Sequence, residues 1–248
     1  SILKTPFIKQ VLDGRKNLDA VWSRPGNSLK RAVTPSIMKL IKISVKTYNL
    51  APQDRLLIWS VCTLAFFGLF RIHELLAKNS SYFDPDFELL KKDVILRDIE
   101  INKEKIKIIQ VLIKSEKSDR VGAGTIVDVY AIDGPLCPVK AFTKWQSFSP
   151  AFPSKEPCFR FSSGIPLTGK KFNAILHDLL KDHLNYEQGK ITAHSFRRGL
   201  PTMMANLGFA SHDIMALGRW SSEAYKNYLK LPRTKRLEMA NSIRNLTF

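Results

Sequence analysis

The longest apolar run of this chain, Leu56 to Phe70, is the feature that most constrains its fold. Ser60 and Thr63 interrupt the run, and it is shorter than the roughly 20 apolar residues that a membrane-spanning helix needs. Asp54 stands before it in the position of a helix cap. The pattern therefore predicts a buried core helix that Asp54 caps and that ends near Gly68.

Helical periodicity recurs on both sides of this run. Thr34 followed by Pro35 is an N-cap and first-turn pair, and the apolar spacing after it predicts a helix to about Tyr48. The other predicted helices are a short one near Phe7 to Leu12, one from Pro138 through Trp145, one that Thr168 caps, and a series from about Ala193 to the end.

Between the helical segments the pattern changes to that of strands. From Asp93 onward, β-branched residues follow one another or alternate with polar ones, over residues 94–101, 106–113 and 125–130. Gly122 and Gly124 lie in the connection before the last of these segments. The sequence therefore predicts a mostly α-helical protein with a small three-stranded antiparallel sheet inserted into it.

The charge of the chain favours a polyanionic partner. Lys and Arg number 39 against 22 Asp and Glu, which gives a formal net charge of +17. Such an excess is typical of nucleic-acid-binding proteins, but ribosomal proteins, membrane-surface proteins and soluble proteins with a solvated basic face share it. Charge alone therefore leaves these classes open.

The cysteines exclude two kinds of scaffold. Cys62, Cys137 and Cys158 are far apart and odd in number, which argues against a disulfide framework and against a zinc ribbon. We expect reduced, structural thiols in an intracellular protein. The chain opens with Ser1, without a Met start or a signal-peptide pattern, so we expect a piece excised from a longer protein.

A His-x-x-Arg pair introduces the residues that carry chemistry. His194 and Arg197 are three residues apart, hence on the same side of a predicted helix start. Such a pair is weak evidence alone, because a capped helix with a surface arginine gives the same pattern. The sequence 217–222, Leu-Gly-Arg-Trp-Ser-Ser, follows about twenty residues later, and Tyr225 and Tyr228 come after it.

Arg71 stands far upstream, at the end of the predicted buried helix, and Lys117 lies between the second and third predicted strands. An arginine, a lysine, a His-x-x-Arg pair, a tryptophan and a tyrosine in this order resemble the tyrosine recombinase and phage integrase family, and the resemblance runs from Arg71 to Tyr228. The Gly-Arg-Trp-Ser-Ser wording and the Ser-Glu-Lys-Ser-Asp segment 115–119 are most similar to eukaryotic mobile-element recombinases of the Crypton and DIRS type. The residues that carry the resemblance are Arg71, Lys117, His194, Arg197, Trp220 and Tyr228, with Glu74 in support.

The resemblance implies the tyrosine recombinase catalytic-domain fold, and DNA strand exchange through a 3′-phosphotyrosine, for the integration or excision of a mobile element. It implies double-stranded DNA as partner, a dimer or tetramer on that DNA, no cofactor, metal or membrane, and a nuclear location in a eukaryotic host. We expect residues 1–248 to form one catalytic domain, with 1–70 supplying its first helices and the separate N-terminal DNA-gripping domain of the family absent.

The chemistry explains why these residue types are required. Negative charge develops on the phosphate during transesterification, and two guanidiniums can clamp it without a metal ion, which is the role implied for Arg71 and Arg197. Glu74 corresponds to the family's acidic residue that supports the first arginine, although an exposed helix carboxylate would look the same. Trp220 would donate its indole N–H to the phosphate and pack the site, or serve only as a core anchor.

Proton transfer and nucleophilic attack fall to three further residues. Lys117 would protonate the 5′ oxygen as general acid, with the nearby Lys114 as the competing lysine. His194 would accept the tyrosine proton or bind a phosphate oxygen. Tyr228 is the expected nucleophile, although it lies eight residues after Trp220 where better-known members have about nine, and Tyr225 on the same helical face stays open.

Two other functions share these features. A type IB topoisomerase uses the same residue set to relax supercoils, and an inactive DNA-binding protein derived from a mobile element would retain part of it. The segment 232–248 carries apolar residues at near-helical spacing and predicts a terminal helix after Pro232. That helix would dock on a neighbouring protomer or on its own domain, and the sequence leaves both arrangements open.

Overall fold

The predicted buried helix is the centre of the domain in the computed structural model, which describes residues 31–114, 124–148, 153–183, 191–207, 209–220 and 233–244. Every side chain from Leu57 to Phe66 is buried, because other helices pack around this one. The described helices are α1 (Pro35–Thr47), α2 (Pro52–Phe67), α3 (Ile72–Leu75), α4 (Pro138–Phe148), α5 (Gly169–Leu180), α6 (Ala193–Asn206), α7 (Ser211–Leu217) and α8 (Arg233–Arg244).

Two of the three predicted helix caps are confirmed. The Thr34 hydroxyl accepts the N–H of Ile37 at 3.3 Å at the start of α1, and the Thr168 hydroxyl accepts the N–H of Lys171 at 3.2 Å at the start of α5. These side chains satisfy backbone donors that the first turn of a helix leaves without an intrahelical partner. Both helices therefore begin where the sequence predicts.

The prediction that Asp54 caps α2 is wrong. The helix begins two residues earlier, at Pro52, which favours the first helical position because its ring fixes φ and its missing N–H is not needed there. The Asp54 carboxylate instead accepts the backbone N–H of Ser162 at 2.7 Å and its hydroxyl at 2.9 Å. It ties the start of α2 to a loop far along the chain.

The three-stranded antiparallel sheet is confirmed. Its strands are β1 (Val94–Ile101), β2 (Glu104–Ile113) and β3 (Thr125–Tyr130), in the order β1-β2-β3. Helix α4 packs against β2 and β3. The β2–β3 connection, with the predicted Lys117 and Gly122, lies outside the described residues, as does the predicted helix near Phe7 to Leu12.

The terminal helix and the cysteines also match their predictions. Helix α8 is present, and Leu237 and Ile243 are buried against the same chain. The three cysteines are buried thiols without disulfides, and burial raises the pKa of Cys62 and of Cys158. Along the described ranges, no helix has the length and apolar character needed to cross a membrane.

Close packing at Gly199 sets how deeply α6 sits in the core. A Cβ placed on Gly199 would lie 2.0 Å from the Val33 carbonyl oxygen and 2.6 Å from Cε2 of Phe66. The N–H of Val33 also donates to the Ser195 carbonyl of α6 at 2.9 Å. Helix α6 can therefore reach the segment before α1 and the side of α2 only because position 199 has no side chain.

We expect Gly199→Ala to destabilise the domain by about 1–3 kcal/mol or more, because the added methyl group has no space beside the Val33 carbonyl. Thermal unfolding followed by circular dichroism measures the effect. Gly169→Ala is the matched control, since its Cβ would lie 3.5 Å from the nearest atom, on Ile72, in ordinary contact. Equal unfolding midpoints for the two variants would contradict the assigned packing.

Candidate active site

Two helix ends of the same design face each other in the domain. Helix α2 ends at Gly68, and the next residue, Leu69, adopts the left-handed conformation with φ of 51°. Phe70 then folds back over the glycine, where a Cβ would lie 2.2 Å from its ring. We call residues 68–70 the first turn.

The second turn, residues 218–220, repeats these features at the end of α7. Gly218 closes the helix, and Arg219 is left-handed with φ of 55°. The Trp220 ring folds back so closely that a Cβ on Gly218 would lie 2.3 Å from it. Left-handed backbone is unfavourable for residues other than glycine, so the surrounding contacts must hold both turns in place.

Arg197 of helix α6 joins the two turns. Its Nη1 donates to the Leu69 carbonyl and its Nη2 to the Gly218 carbonyl. Its guanidinium carbon lies 5.2 Å from the centre of the Trp220 ring. Carbonyls at the carboxyl ends of helices carry partial negative charge, so two such ends make a favourable site for a cation. Only 3% of the Arg197 side chain is exposed, which contradicts its interpretation as a surface arginine.

Glu74, in the short helix α3, is the acidic centre of the cluster. Its Oε1 accepts Nη1 of Arg71 at 2.7 Å, and its Oε2 accepts the Arg71 backbone N–H at 2.8 Å. Oε2 also accepts Nη2 of Arg219 at 2.8 Å, and Nη1 of Arg197 lies 4.0 Å from the same oxygen. The carboxylate is 1% exposed, so Glu74 is not the exposed helix carboxylate that the sequence left open.

The four side chains of this charge cluster carry a positive excess. Three guanidiniums, from Arg71, Arg197 and Arg219, surround the single carboxylate of Glu74, so that 3 − 1 leaves two positive charges. Arg71 is the most exposed, at 30% of its side chain, against 10% for Arg219. A concentrated positive charge on partly buried, fork-shaped donors is suited to binding an anion such as a phosphate.

The structure brings part of the predicted site together. Arg71 and Glu74, three residues apart, meet Arg197 and Trp220, which lie far along the chain. His194 lies in the first turn of α6, one turn before Arg197, with an exposed side chain. The predicted Lys117, Tyr225 and Tyr228 lie outside the described residues.

Lys114, the competing general-acid candidate, is engaged elsewhere. Its ammonium group is 2.9 Å from the carboxylate of Asp93, and it donates to the carbonyls of Pro85 at 2.7 Å and Glu88 at 3.2 Å. The Lys114 side chain is 17% exposed and the Asp93 side chain 3%. Lys114 therefore anchors the end of β2, just before the connection that contains Lys117.

Sequence reasoning missed Arg219 as a member of the cluster. Besides its bond to Glu74, Arg219 donates from Nη1 to the Gly68 carbonyl at 3.2 Å, and its guanidinium lies 5.3 Å from the Phe70 ring. One signal was available: Tyr228 lies nine residues after Arg219, the interval expected between the family's His or Trp position and its nucleophile. The interval would have added Arg219 to the candidate residues beside Trp220.

Metal ligands do not cluster in the part of the chain that the structure describes. Within those ranges no group of three or more His, Cys, Asp or Glu side chains is placed to hold a metal ion. The charged groups that converge are the guanidiniums and carboxylate described above.

Comparison with known proteins identifies the fold. The sequence matches no family model, and no curated protein matches it. The structure is similar to an Flpe mutant–DNA Holliday junction complex, with a TM-score of 0.55 and 14% identity over 98% of this chain and 56% of the other. An FLP recombinase–Holliday junction complex gives a TM-score of 0.53 at 14% identity, over 89% and 50% of the two chains.

A second recombinase extends this result beyond the FLP structures. XerH site-specific recombinase bound to difH substrate, in a pre-cleavage complex, gives a TM-score of 0.50 at 16% identity, over 97% of this chain and 64% of that one. The chain thus spans between half and two thirds of the length of these recombinases. Its mostly helical architecture with the three-stranded sheet is the fold of the tyrosine recombinase catalytic domain.

Proposed function

We propose that this chain is the catalytic part of a tyrosine recombinase, which exchanges DNA strands by transesterification through a 3′-phosphotyrosine. The observation that carries the proposal is the convergence of two guanidiniums: Arg71 bonds the buried carboxylate of Glu74, and Nη1 of Arg197 lies 4.0 Å from the same carboxylate. The Trp220 ring packs against Arg197. These residues come from three segments of the chain, around residues 71–74, 197 and 220, and the family resemblance expects them at one site. The shared fold of the solved recombinases supports the same conclusion.

The charge cluster supplies what the reaction needs at phosphorus. When an oxygen attacks the phosphodiester, negative charge grows on the non-bridging oxygens, and donors that are already in position stabilise it without reorganisation. Glu74 fixes Arg71 through two contacts, and the two helix ends fix Arg197 through two more. Both guanidiniums are held before the substrate arrives, as a transition-state clamp requires.

The proposed step balances without a cofactor. The phenolic oxygen of Tyr228 forms a bond to phosphorus, the bond from phosphorus to the 5′ oxygen breaks, and the tyrosine proton passes to His194. Lys117 donates a proton to the departing 5′ oxygen. The phosphotyrosine conserves the energy of the phosphodiester, so a 5′ hydroxyl from another strand can reverse the step.

The same proposal covers the partners. We place double-stranded DNA on the basic surface that the net charge of +17 provides, and a dimer or tetramer on that DNA, since an exchange joins two sites. The Gly-Arg-Trp-Ser-Ser motif favours one setting, the integration or excision of a mobile element in the nucleus of a eukaryotic host. Helix α8 packs on its own chain through Leu237 and Ile243, and its exchange between protomers on DNA stays a prediction.

Tyr228→Phe should abolish the covalent adduct on a nicked suicide substrate while DNA binding survives, because the variant keeps the ring and loses only the nucleophilic oxygen. Denaturing electrophoresis detects the adduct and a gel-shift assay detects binding. Tyr225→Phe is the matched control and should retain the adduct. An adduct that disappears in Tyr225→Phe and persists in Tyr228→Phe would move the nucleophile to Tyr225.

Lys117→Met should lose cleavage on an ordinary phosphodiester and recover it when sulfur replaces the 5′ bridging oxygen. A thiolate leaves without being protonated, so the general acid is no longer needed. Lys114→Met should lower the unfolding temperature, since Lys114 anchors β2 on Asp93, and sulfur should not rescue its cleavage. If the sulfur substrate restored cleavage by Lys114→Met and not by Lys117→Met, Lys114 would be the general acid.

Cleavage should continue at an unchanged rate in excess EDTA, because guanidiniums and Lys117 supply the positive charge that a divalent ion brings to other phosphoryl-transfer sites. Single-turnover adduct formation with and without the chelator measures this. A rate that collapses in EDTA and returns with magnesium would show that a metal ion takes part.

A further inference from the structure

Arg219 competes with Arg197 for one oxygen of Glu74. Oε2 accepts Nη2 of Arg219 at 2.8 Å and the Arg71 backbone N–H at 2.8 Å, while Nη1 of Arg197 stays at 4.0 Å. Arg197 instead donates to the Leu69 and Gly218 carbonyls. The strongest pairing partner near Arg197 is thus already occupied, and Arg197 is held by the neutral carbonyls.

Burial makes this competition consequential. The Glu74 carboxylate is 1% exposed and the Arg197 side chain 3%, so the attraction between them is weakly screened by water. The bonds of Arg197 to the two carbonyls pair one full charge with a dipole, whereas a bond to the carboxylate would pair two full and opposite charges and is the stronger in a poorly screened site. Without the Arg219 guanidinium, Oε2 would draw Arg197 away from the carbonyls that position it.

We infer that Arg219 is a positioning residue for the transesterification proposed above: by pairing with Glu74 it keeps the guanidiniums of Arg71 and Arg197 directed at the scissile phosphate. The inference rests on that proposed function. Arg219 itself is turned inward, onto the Gly68 carbonyl and the Phe70 ring, and its side chain is 10% exposed. Its role is therefore assigned through these contacts and its pairing with Glu74, which hold the other two arginines in place.

The backbone at Arg219 supports this assignment. Arg219 holds a left-handed φ of 55°, which is unfavourable for a residue with a Cβ, at a turn where glycine would be the ordinary choice. A strained position is retained when the side chain there makes contacts that offset the strain. Here those contacts are the pairing with Glu74 and the bond to Gly68, which also link the two turns.

The test compares Arg219→Met with wild type on two substrates, a normal suicide phosphodiester and one with a methylphosphonate at the scissile position. The methylphosphonate group is neutral, so its cleavage depends less on guanidinium charge than cleavage of the phosphodiester does. Arg219→Met keeps an apolar side chain at the Phe70 ring and removes the charge. We expect adduct formation to fall about 100-fold on the phosphodiester. On the methylphosphonate the loss should shrink to less than about tenfold, with half-site affinity within about twofold of wild type on both.

A second variant separates charge pairing from simple loss of structure. Adding Glu74→Gln to Arg219→Met removes the carboxylate that would capture Arg197, and should restore the phosphodiester rate by about tenfold relative to Arg219→Met alone. Arg160→Met is the matched control, because Arg160 also bridges a carboxylate and a carbonyl, Glu156 at 2.5 Å and Gly164 at 3.0 Å, at a remote loop. It should cleave both substrates at the wild-type rate.

Three outcomes overturn the inference. An unchanged rate for Arg219→Met would show that Arg219 is dispensable. Equal losses on both substrates, together with a lowered unfolding temperature and no restoration by Glu74→Gln, would leave Arg219 as a structural link between the turns. Absence of any adduct with wild type on either substrate would instead refute the proposed function, and this inference with it.

Discussion

The buried carboxylate of Glu74 is the interaction on which the site depends. An unpaired carboxylate with 1% exposure would cost several kcal/mol in desolvation, so its partners are obligatory. Arg71 and Arg219 supply them, and Arg219 brings with it the turn that carries Trp220. One acidic side chain in a four-residue helix thus fixes the relative position of segments at residues 68–74 and 218–220.

Helix ends do as much as side chains in building the cluster. The carbonyls of Gly68, Leu69 and Gly218 all accept guanidinium protons, and all belong to the ends of α2 and α7. Each turn combines a glycine, a left-handed residue and an aromatic ring that folds back. The repeated geometry explains how the charge cluster holds three arginines with a single carboxylate, that of Glu74: the helix-end carbonyls accept the other guanidinium protons.

Local patterns made much of the fold predictable. The apolar run of α2, the alternation of the three strands, and the caps at Thr34 and Thr168 are short-range features that neighbouring residues determine. The same reasoning gave a wrong cap at Asp54, because the Asp54 carboxylate accepts its hydrogen bonds from Ser162, 108 positions away. A cap motif cannot show that a distant loop will claim the side chain.

For the site, too, long-range contacts separate what the sequence predicted from what it missed. Resemblance named Arg71, Glu74, Arg197 and Trp220, which the structure gathers, and Lys117 and Tyr228, which stay predictions. Arg219 was overlooked because its decisive contact, with Glu74, spans 145 positions. Neither propensity nor periodicity reports a pairing of that length.

The separation of these partners along the chain has a consequence for how the protein matures. Contacts between distant segments form late, because closing a long loop costs entropy before the contact is made. Arg71 and Glu74 can meet early in an isolated helical turn, but Arg197 and Arg219 join them only when α6 and α7 have packed on α2. A nascent or partly unfolded chain therefore carries these positive charges scattered along its length, without the assembled cluster that the proposed strand exchange requires.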